Sequence, residues 1–117
     1  MGKTILYGIP NCDTTKKAIN WLSKNKIPYS FHDYKHEGIS KEKLQAWFAK
    51  EGREKIFNKR STTWKELPAV VQNKVTDDGS AIKIMIAHNS IIKRPVIEHD
   101  DTLLIGFNEE NFKKAFK

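Results

Sequence analysis

The sequence has a single cysteine, no long apolar run and no low-complexity segment. With one cysteine there is no intramolecular disulfide, so an oxidised Cys12 would need a resolving thiol from another molecule. No apolar stretch approaches the ~20 residues that a membrane-spanning helix requires, and the short run at residues 5–9 is not the apolar core of a secretory signal. We therefore expect a cytoplasmic protein with no membrane partner.

The chain is short and basic. Its 117 residues suit one domain, and 21 Lys and Arg against 14 Asp and Glu give a net charge of +7. The lysines are scattered along segments with helical patterns, which is typical of solvated helix faces. Because the sequence also has no nucleic-acid-binding motif, we expect no nucleic-acid partner.

Cys12 lies between a predicted strand and a predicted helix. Residues 4–7 are rich in strand formers, and Gly8 and Pro10 follow as turn residues. Apolar residues recur at helical spacing over residues 14–25, and Asn25 is expected to end the helix in a left-handed conformation. A sulfur at a helix N-terminus faces unpaired N–H groups and the positive end of the helix dipole. This position favours the thiolate, which is the nucleophilic form of cysteine.

A second reading of Cys12 stays open. A lone cysteine is often a small buried hydrophobe without reactivity, although its place in a Gly/Pro loop at a helix start favours a reactive thiol. Asp13 argues against activation, because a neighbouring carboxylate raises the pKa of a thiol unless it points away.

The remaining patterns predict the order βαβ, helices, ββα. Residues 29–34 alternate between aromatic and polar side chains, which predicts a second strand parallel to the first. Residues 41–87 show only helical or irregular patterns. Residues 91–98, with Pro95 at the entry to a strand, and residues 102–107 predict a hairpin, and residues 109–117 predict a final helix.

Three segments, in this order along the chain, resemble the arsenate reductase (ArsC)/Spx family and its YffB-like branch. They are the cysteine loop at residues 10–15, the segment 60–64 and the segment 92–95. The resemblance covers essentially the whole chain. It implies one α/β domain over residues 1–117, with a thioredoxin-like fold, a mixed four-stranded sheet and a helical insertion at about residues 40–87. It also implies a cis proline facing the cysteine loop, for which Pro95 is the candidate.

The resemblance assigns roles to individual residues. It makes Cys12 the catalytic nucleophile, and it places Arg60 and Arg94 beside Cys12 as anion-binding groups. A guanidinium suits this role, because it stays charged and offers a planar fork to an oxyanion or a carboxylate. Thr14 and Thr15 are expected to stabilise the thiolate.

The chain also departs from the arsenate reductases. The family's third arginine is missing, since residues 103–107 contain no basic residue. The histidine that precedes the cysteine is missing too, because Gly8 and Ile9 occupy that stretch. Both losses weaken the stabilisation of a charged arsenate transition state, whereas a mixed disulfide needs less.

Our leading hypothesis is a glutathione-dependent thiol oxidoreductase, with glutathione or glutaredoxin as reductant, a small oxyanion or disulfide as substrate, and no bound cofactor. Arsenate reduction proper is the close alternative. A second class is a non-catalytic regulator similar to Spx that binds RNA polymerase, although Thr15 stands where that branch often has the second cysteine of Cys-x-x-Cys. His32 and His36 are read as surface residues, so no metal site is predicted.

Overall fold

The computed structural model describes residues 3–116. They form two compact units, one of residues up to Glu37 and from Arg94 onward, the other of Gly38–Lys93. Within residues 3–116, no helix combines the length and the apolar character that crossing a membrane requires.

The first unit contains a mixed four-stranded sheet. Its strands are β1 (Thr4–Gly8), β2 (Ser30–Asp33), β3 (Val96–His99) and β4 (Thr102–Ile105). They lie in the order β2-β1-β3-β4, with β1 and β2 parallel and the other two neighbouring pairs antiparallel. This is the sheet of a thioredoxin-like α/β fold, and the predicted fold class is confirmed.

Most of the residues outside the strands are helical. Residues 3–116 contain α1 (Asp13–Lys24), α2 (Tyr34–Glu37), α3 (Lys41–Glu51), α4 (Arg53–Ile56), α5 (Thr62–Glu66), α6 (Ala69–Gln72), α7 (Asp78–Ala87) and α8 (Glu109–Ala115). A short 3-10 helix covers Asn89–Ile91. Thus α1, α2 and α8 belong to the first unit, and α3 to α7 to the second.

One face of the sheet carries the core of the first unit. Leu6 and Ile97 lie opposite each other in β1 and β3, so their side chains share a face. They pack with Ala18 and Leu22 of α1 and with Phe112 of α8, and all five are at most 1% exposed. This apolar cluster fixes α1 against the sheet, and with it the position of the loop before α1.

The second unit is built on α3 and α7. Leu44 and Trp47 of α3 and Ile82 and Met85 of α7 are almost fully buried. Both helices are capped as their sequences predict. The Ser40 hydroxyl accepts the Lys43 N–H in α3, and Asp77 and Ser80 form a reciprocal capping box in α7.

One local prediction was wrong. Asn25 keeps a φ of −93°, and Lys26 takes the left-handed conformation instead, at φ 57°. The reason is the α1 C-terminus, where the Ile27 N–H donates to the Leu22 carbonyl, so the residue after the C-cap makes the turn. The strand expected to be entered at Pro95 begins at Val96, and Ile92 before it forms a single bridge with Phe57 within the second unit.

Candidate active site around Cys12

The pairing of β1 with β3 brings the cysteine loop and residues 94–95 together. Tyr7 near the end of β1 lies opposite Val96 at the start of β3, because the two strands are antiparallel. Cys12 follows β1, and Arg94 and Pro95 precede β3. The Arg94–Pro95 peptide bond is cis. Two segments more than eighty residues apart in sequence therefore meet where β1 ends and β3 begins.

Cys12 is the N-cap residue of α1. Its backbone is extended, with φ −119° and ψ 125°, and its carbonyl accepts the Lys16 N–H at 2.9 Å. The residue is half-buried, and its sulfur lies near Thr14 and Thr15 in the first turn of the helix. This is the geometry in which a helix terminus favours an anion.

Four interactions oppose the effect of burial on the Cys12 thiol. Burial raises its pKa, but four donors near the sulfur lower it, namely the Thr15 hydroxyl and N–H, the Arg94 guanidinium and the Thr14 N–H, so the pKa lies below its ordinary value. The Cys12 side chain makes no capping hydrogen bond, so these donors act on the sulfur through their charge and their dipoles. The structure thus brings together Cys12, Thr14, Thr15 and Arg94.

Thr15 of α1 packs closely against Gly8 at the end of β1. The Thr15 side chain is fully buried, and its hydroxyl is one of the groups near the Cys12 sulfur that lower the pKa of the thiol. A Cβ atom on Gly8 would lie 2.9 Å from Thr15 Oγ1 and 3.1 Å from Cγ2. The missing side chain of Gly8 therefore makes the space in which Thr15 contacts the thiol. This role was not predicted from the sequence, where Gly8 indicated only a turn.

We expect Gly8→Ala to displace Thr15 and to raise the pKa of Cys12. Thr15 is β-branched and buried, so it cannot swing away without moving α1. Overpacking of this kind costs about 1–3 kcal/mol. Urea unfolding measures the stability, and the pH dependence of Cys12 alkylation measures the pKa.

The matched control is Gly79→Ala in α7. A Cβ there would meet only Asp77 Oδ1 at 3.7 Å, an ordinary contact, and alanine is the better helix former by about 1 kcal/mol. It should leave the alkylation profile unchanged and not lower stability. Equal behaviour of the two variants would contradict the steric role of Gly8.

Arg94→Gln should raise the pKa of Cys12 by removing a positive charge from beside the sulfur. Alkylation proceeds through the thiolate, so its rate rises with pH, and the midpoint of that rise should move upward in the variant. Near neutral pH, alkylation should slow severalfold. Intact-mass measurement of iodoacetamide labelling between pH 5 and 10 tests this. An unchanged midpoint would remove Arg94 from the site.

Two buried tyrosines, Tyr7 and Tyr34, lie near Arg94, and their pairing was likewise not predicted from the sequence. The Tyr7 hydroxyl donates to Glu98 Oε1 at 2.7 Å. Burial, this hydrogen bond and the charge of Glu98 raise the pKa of Tyr7. The pKa of the fully buried Tyr34 is also raised by burial, and by Tyr7 and Glu98, whereas the charge of Arg94 lowers it. The register of β1 with β3 places Tyr7 and Glu98 on one face, and no pattern in the sequence gives that register.

Two further residues of interest lie elsewhere. Asp13 is exposed in the first turn of α1, and the groups that shift the pKa of Cys12 are Thr15, Arg94 and Thr14. Arg60 belongs to the second unit, where it is exposed in the turn before α5 and its N–H donates to Asn58 Oδ1 at 3.1 Å. The predicted role of Arg60 beside Cys12 stays a prediction.

The fold and the surroundings of Cys12 show to which class of protein the chain belongs. A thioredoxin-like sheet, a cysteine at the N-terminus of the first helix, and a cis proline before β3 are the features of a thioredoxin-like protein with one activated thiol. The profile of the ArsC family matches residues 7–115. The chain belongs to the ArsC family.

Solved structures and a curated relative agree with this membership. A protein called YFFB is 40% identical, covers 98% of this chain and 100% of its own, and superposes with a TM-score of 0.94. An arsenate reductase related protein from Brucella melitensis is 41% identical, covering 98% of this chain and 95% of its own, with a TM-score of 0.73. The global transcriptional regulator Spx 2 of Bacillus anthracis is 27% identical over 112 residues, 94% of this chain and 84% of the relative.

Proposed function

We propose that this protein is a glutathione-dependent thiol oxidoreductase whose single nucleophile is Cys12. One observation carries the proposal: the half-buried Cys12 thiol has a lowered pKa because Thr14, Thr15 and Arg94 surround it at a helix N-terminus. An attacking thiol works best when its pKa is near the ambient pH, since it is then both ionised and nucleophilic. A purely structural cysteine needs no such surroundings.

The proposed reaction has two thiol–disulfide exchange steps. In the first, the Cys12 thiolate attacks the glutathione sulfur of a mixed disulfide, an S–S bond to Cys12 forms, and the substrate thiolate leaves and takes a proton from water. In the second, the thiolate of another glutathione attacks this adduct, releases glutathione disulfide and restores the Cys12 thiolate. The substrate is reduced by two electrons, and two glutathione sulfurs become one disulfide. No second protein cysteine is required.

The surrounding residues assist both steps. The N–H groups of Thr14 and Thr15, with the Thr15 hydroxyl, stabilise negative charge on the sulfur before attack and as the adduct is released. We assign Arg94 to a carboxylate of glutathione as well as to the thiolate. Because the reaction depends on reduced glutathione, we also propose the cytoplasm as its location. Glutaredoxin is the alternative reductant for the adduct.

Arsenate reduction is the close alternative, and the relationship to the arsenate reductase related protein of Brucella melitensis favours it. The chemistry of β4 argues against it. Residues 102–105 are Thr-Leu-Leu-Ile, so the strand supplies no cation for a multiply charged oxyanion.

A reductase assay separates these possibilities. The full chain would be supplied with reduced glutathione and the mixed disulfide of glutathione and mercaptoethanol, and glutathione disulfide formation above the uncatalysed rate would be followed. Arsenate would replace the disulfide in a parallel assay, with and without glutaredoxin. We expect turnover with the mixed disulfide and little with arsenate. Turnover with arsenate alone would favour the alternative, and no turnover with either would refute an oxidoreductase.

The relationship to Spx regulators supports one non-catalytic candidate, a protein that binds RNA polymerase. Immobilised protein incubated with purified bacterial RNA polymerase tests it. Retention of polymerase subunits, together with no turnover in the reductase assay, would establish this function in place of the enzymatic one.

A further inference from the structure

The second unit contains a cavity that the chemistry of Cys12 does not explain. Its volume is about 530 Å³, and all of its lining residues lie between Arg53 and Lys93. This volume is within the range of small-molecule sites, roughly 300–1,000 Å³. The charges around it are unbalanced, since Arg53, Lys59, Arg60 and Lys93 line it with Glu54 as the one acid among them.

Most of this positive charge is not neutralised within the described chain. Arg53 forms an ion pair with Asp78, with an N–O distance of 3.2 Å. In residues 3–116, by contrast, no carboxylate forms an ion pair with Lys59, Arg60 or Lys93. Like charges around one concave surface repel each other, and a bound anion relieves that repulsion. The cavity is therefore electrostatically suited to a ligand with more than one negative charge.

One wall of the cavity is apolar and held in place. Trp64 and Phe57 both line it, and their rings meet edge to face at 4.9 Å with an angle of 89° between their planes. The backbone around Trp64 is fixed at two points, because its N–H donates to the Ser61 hydroxyl and its carbonyl accepts from the Gln72 amide. The half-buried indole thus offers a preformed surface to a flat ligand group.

We propose that this cavity binds a nucleoside phosphate, with the base on the Trp64 wall and the phosphate among Lys59, Arg60 and Lys93. A nucleoside phosphate supplies both properties that the cavity requires. Inorganic phosphate would leave the apolar wall uncovered, and a single carboxylate would neutralise only one of the three cations. The proposal does not rest on the function proposed for Cys12, because every residue that carries it belongs to the second unit.

Calorimetric titration of the full chain tests the proposal. The probes are adenosine monophosphate, adenosine and inorganic phosphate, each added to the wild-type protein and to the Cys12→Ser variant. We expect adenosine monophosphate to bind at least tenfold more tightly than either fragment, with the same affinity in both proteins. Binding should weaken as salt is raised, because the contact is ionic.

Three variants locate the site. The double variant Lys59→Gln/Lys93→Gln should lose at least tenfold in affinity for adenosine monophosphate, and Trp64→Leu should weaken adenosine monophosphate but not inorganic phosphate. The double variant Lys113→Gln/Lys114→Gln removes two exposed lysines from α8 and should bind like the wild type. Lys59 is exposed, so the first double variant is expected to fold even if Trp64→Leu does not.

Several results would overturn the proposal. They are no measurable binding of adenosine monophosphate, equal affinity for inorganic phosphate, or equal loss of affinity in the two lysine double variants. Binding of glutathione or of an acidic peptide in its place would also overturn it. Loss of reductase activity in Cys12→Ser with nucleotide binding retained would leave both proposals standing.

Discussion

Cys12→Ser should reduce disulfide turnover to the uncatalysed background. A serine hydroxyl is not ionised near neutral pH and does not attack a disulfide sulfur, whereas the Cys12 thiol is held in a site that lowers its pKa. No other cysteine can substitute, since the chain has only one. Release of glutathione disulfide from a glutathione mixed disulfide measures the effect.

Urea unfolding and intact-mass measurement of the wild type and of Cys12→Ser are the controls. Serine is nearly the same size as cysteine and can cap a helix, which offsets the loss of the thiolate, so Cys12→Ser should unfold in urea close to the wild-type midpoint. Intact mass should show one glutathione adduct on the wild type and none on the variant. Full activity in Cys12→Ser would place the chemistry elsewhere and refute the thiol and the arsenate mechanisms together.

Phe112→Ala should lower the free energy of unfolding by about 3–5 kcal/mol. Phe112 is 1% exposed and packs with Leu6, Ala18, Leu22 and Ile97 in the core of the first unit. Its removal leaves a cavity beneath the sheet that these neighbours fill only in part. Because domains of this size are stable by roughly 5–15 kcal/mol, the loss is a large fraction of the total. Urea unfolding followed by tryptophan fluorescence measures it, since Trp21 lies 5.3 Å from the Phe112 ring.

Ile86→Ala is the comparison for this substitution. It also removes an apolar side chain from a helix, but Ile86 is 44% exposed. Its cost should be within about 0.5 kcal/mol, as for most surface substitutions. A similar cost for Ile86→Ala and Phe112→Ala would contradict the assigned core.

The elements with strong local signals were predicted well. Strand β1, helix α1 and strand β2 follow from apolar periodicity, and the starts of α3 and α8 follow from Ser40 and Asn108, whose side chains accept the N–H groups three residues on. The left-handed Lys26 was not predictable from propensity, because asparagine was the better candidate for that conformation. The start of β3 at Val96 follows from Pro95, which lacks an N–H and is tolerated at the entry to a strand.

The candidate site was predictable only in part, because some of its features are local in sequence and others depend on contacts between distant segments. Cys12 and its helix N-terminus are local features, so the sequence pattern alone indicates an activated thiol. The contact of Arg94 with the sulfur depends on the pairing of β1 with β3, and periodicity gives no register between segments so far apart; only the family resemblance suggested it. The packing of Gly8 on Thr15 is a steric relation between a strand and a helix, which no pattern of residue types records.

The N-cap position of Cys12 has a thermodynamic consequence for the oxidised protein. Because the thiolate is favoured in the folded state, it contributes stability above the pKa of the unfolded thiol, and this contribution is lost as the pH falls through the lower folded pKa. A mixed disulfide at Cys12 has no thiolate and lacks the contribution at every pH. The adduct is thus the less stable folded species and a strong oxidant. Each modification of the sulfur should be followed by faster hydrogen exchange in the first turn of α1.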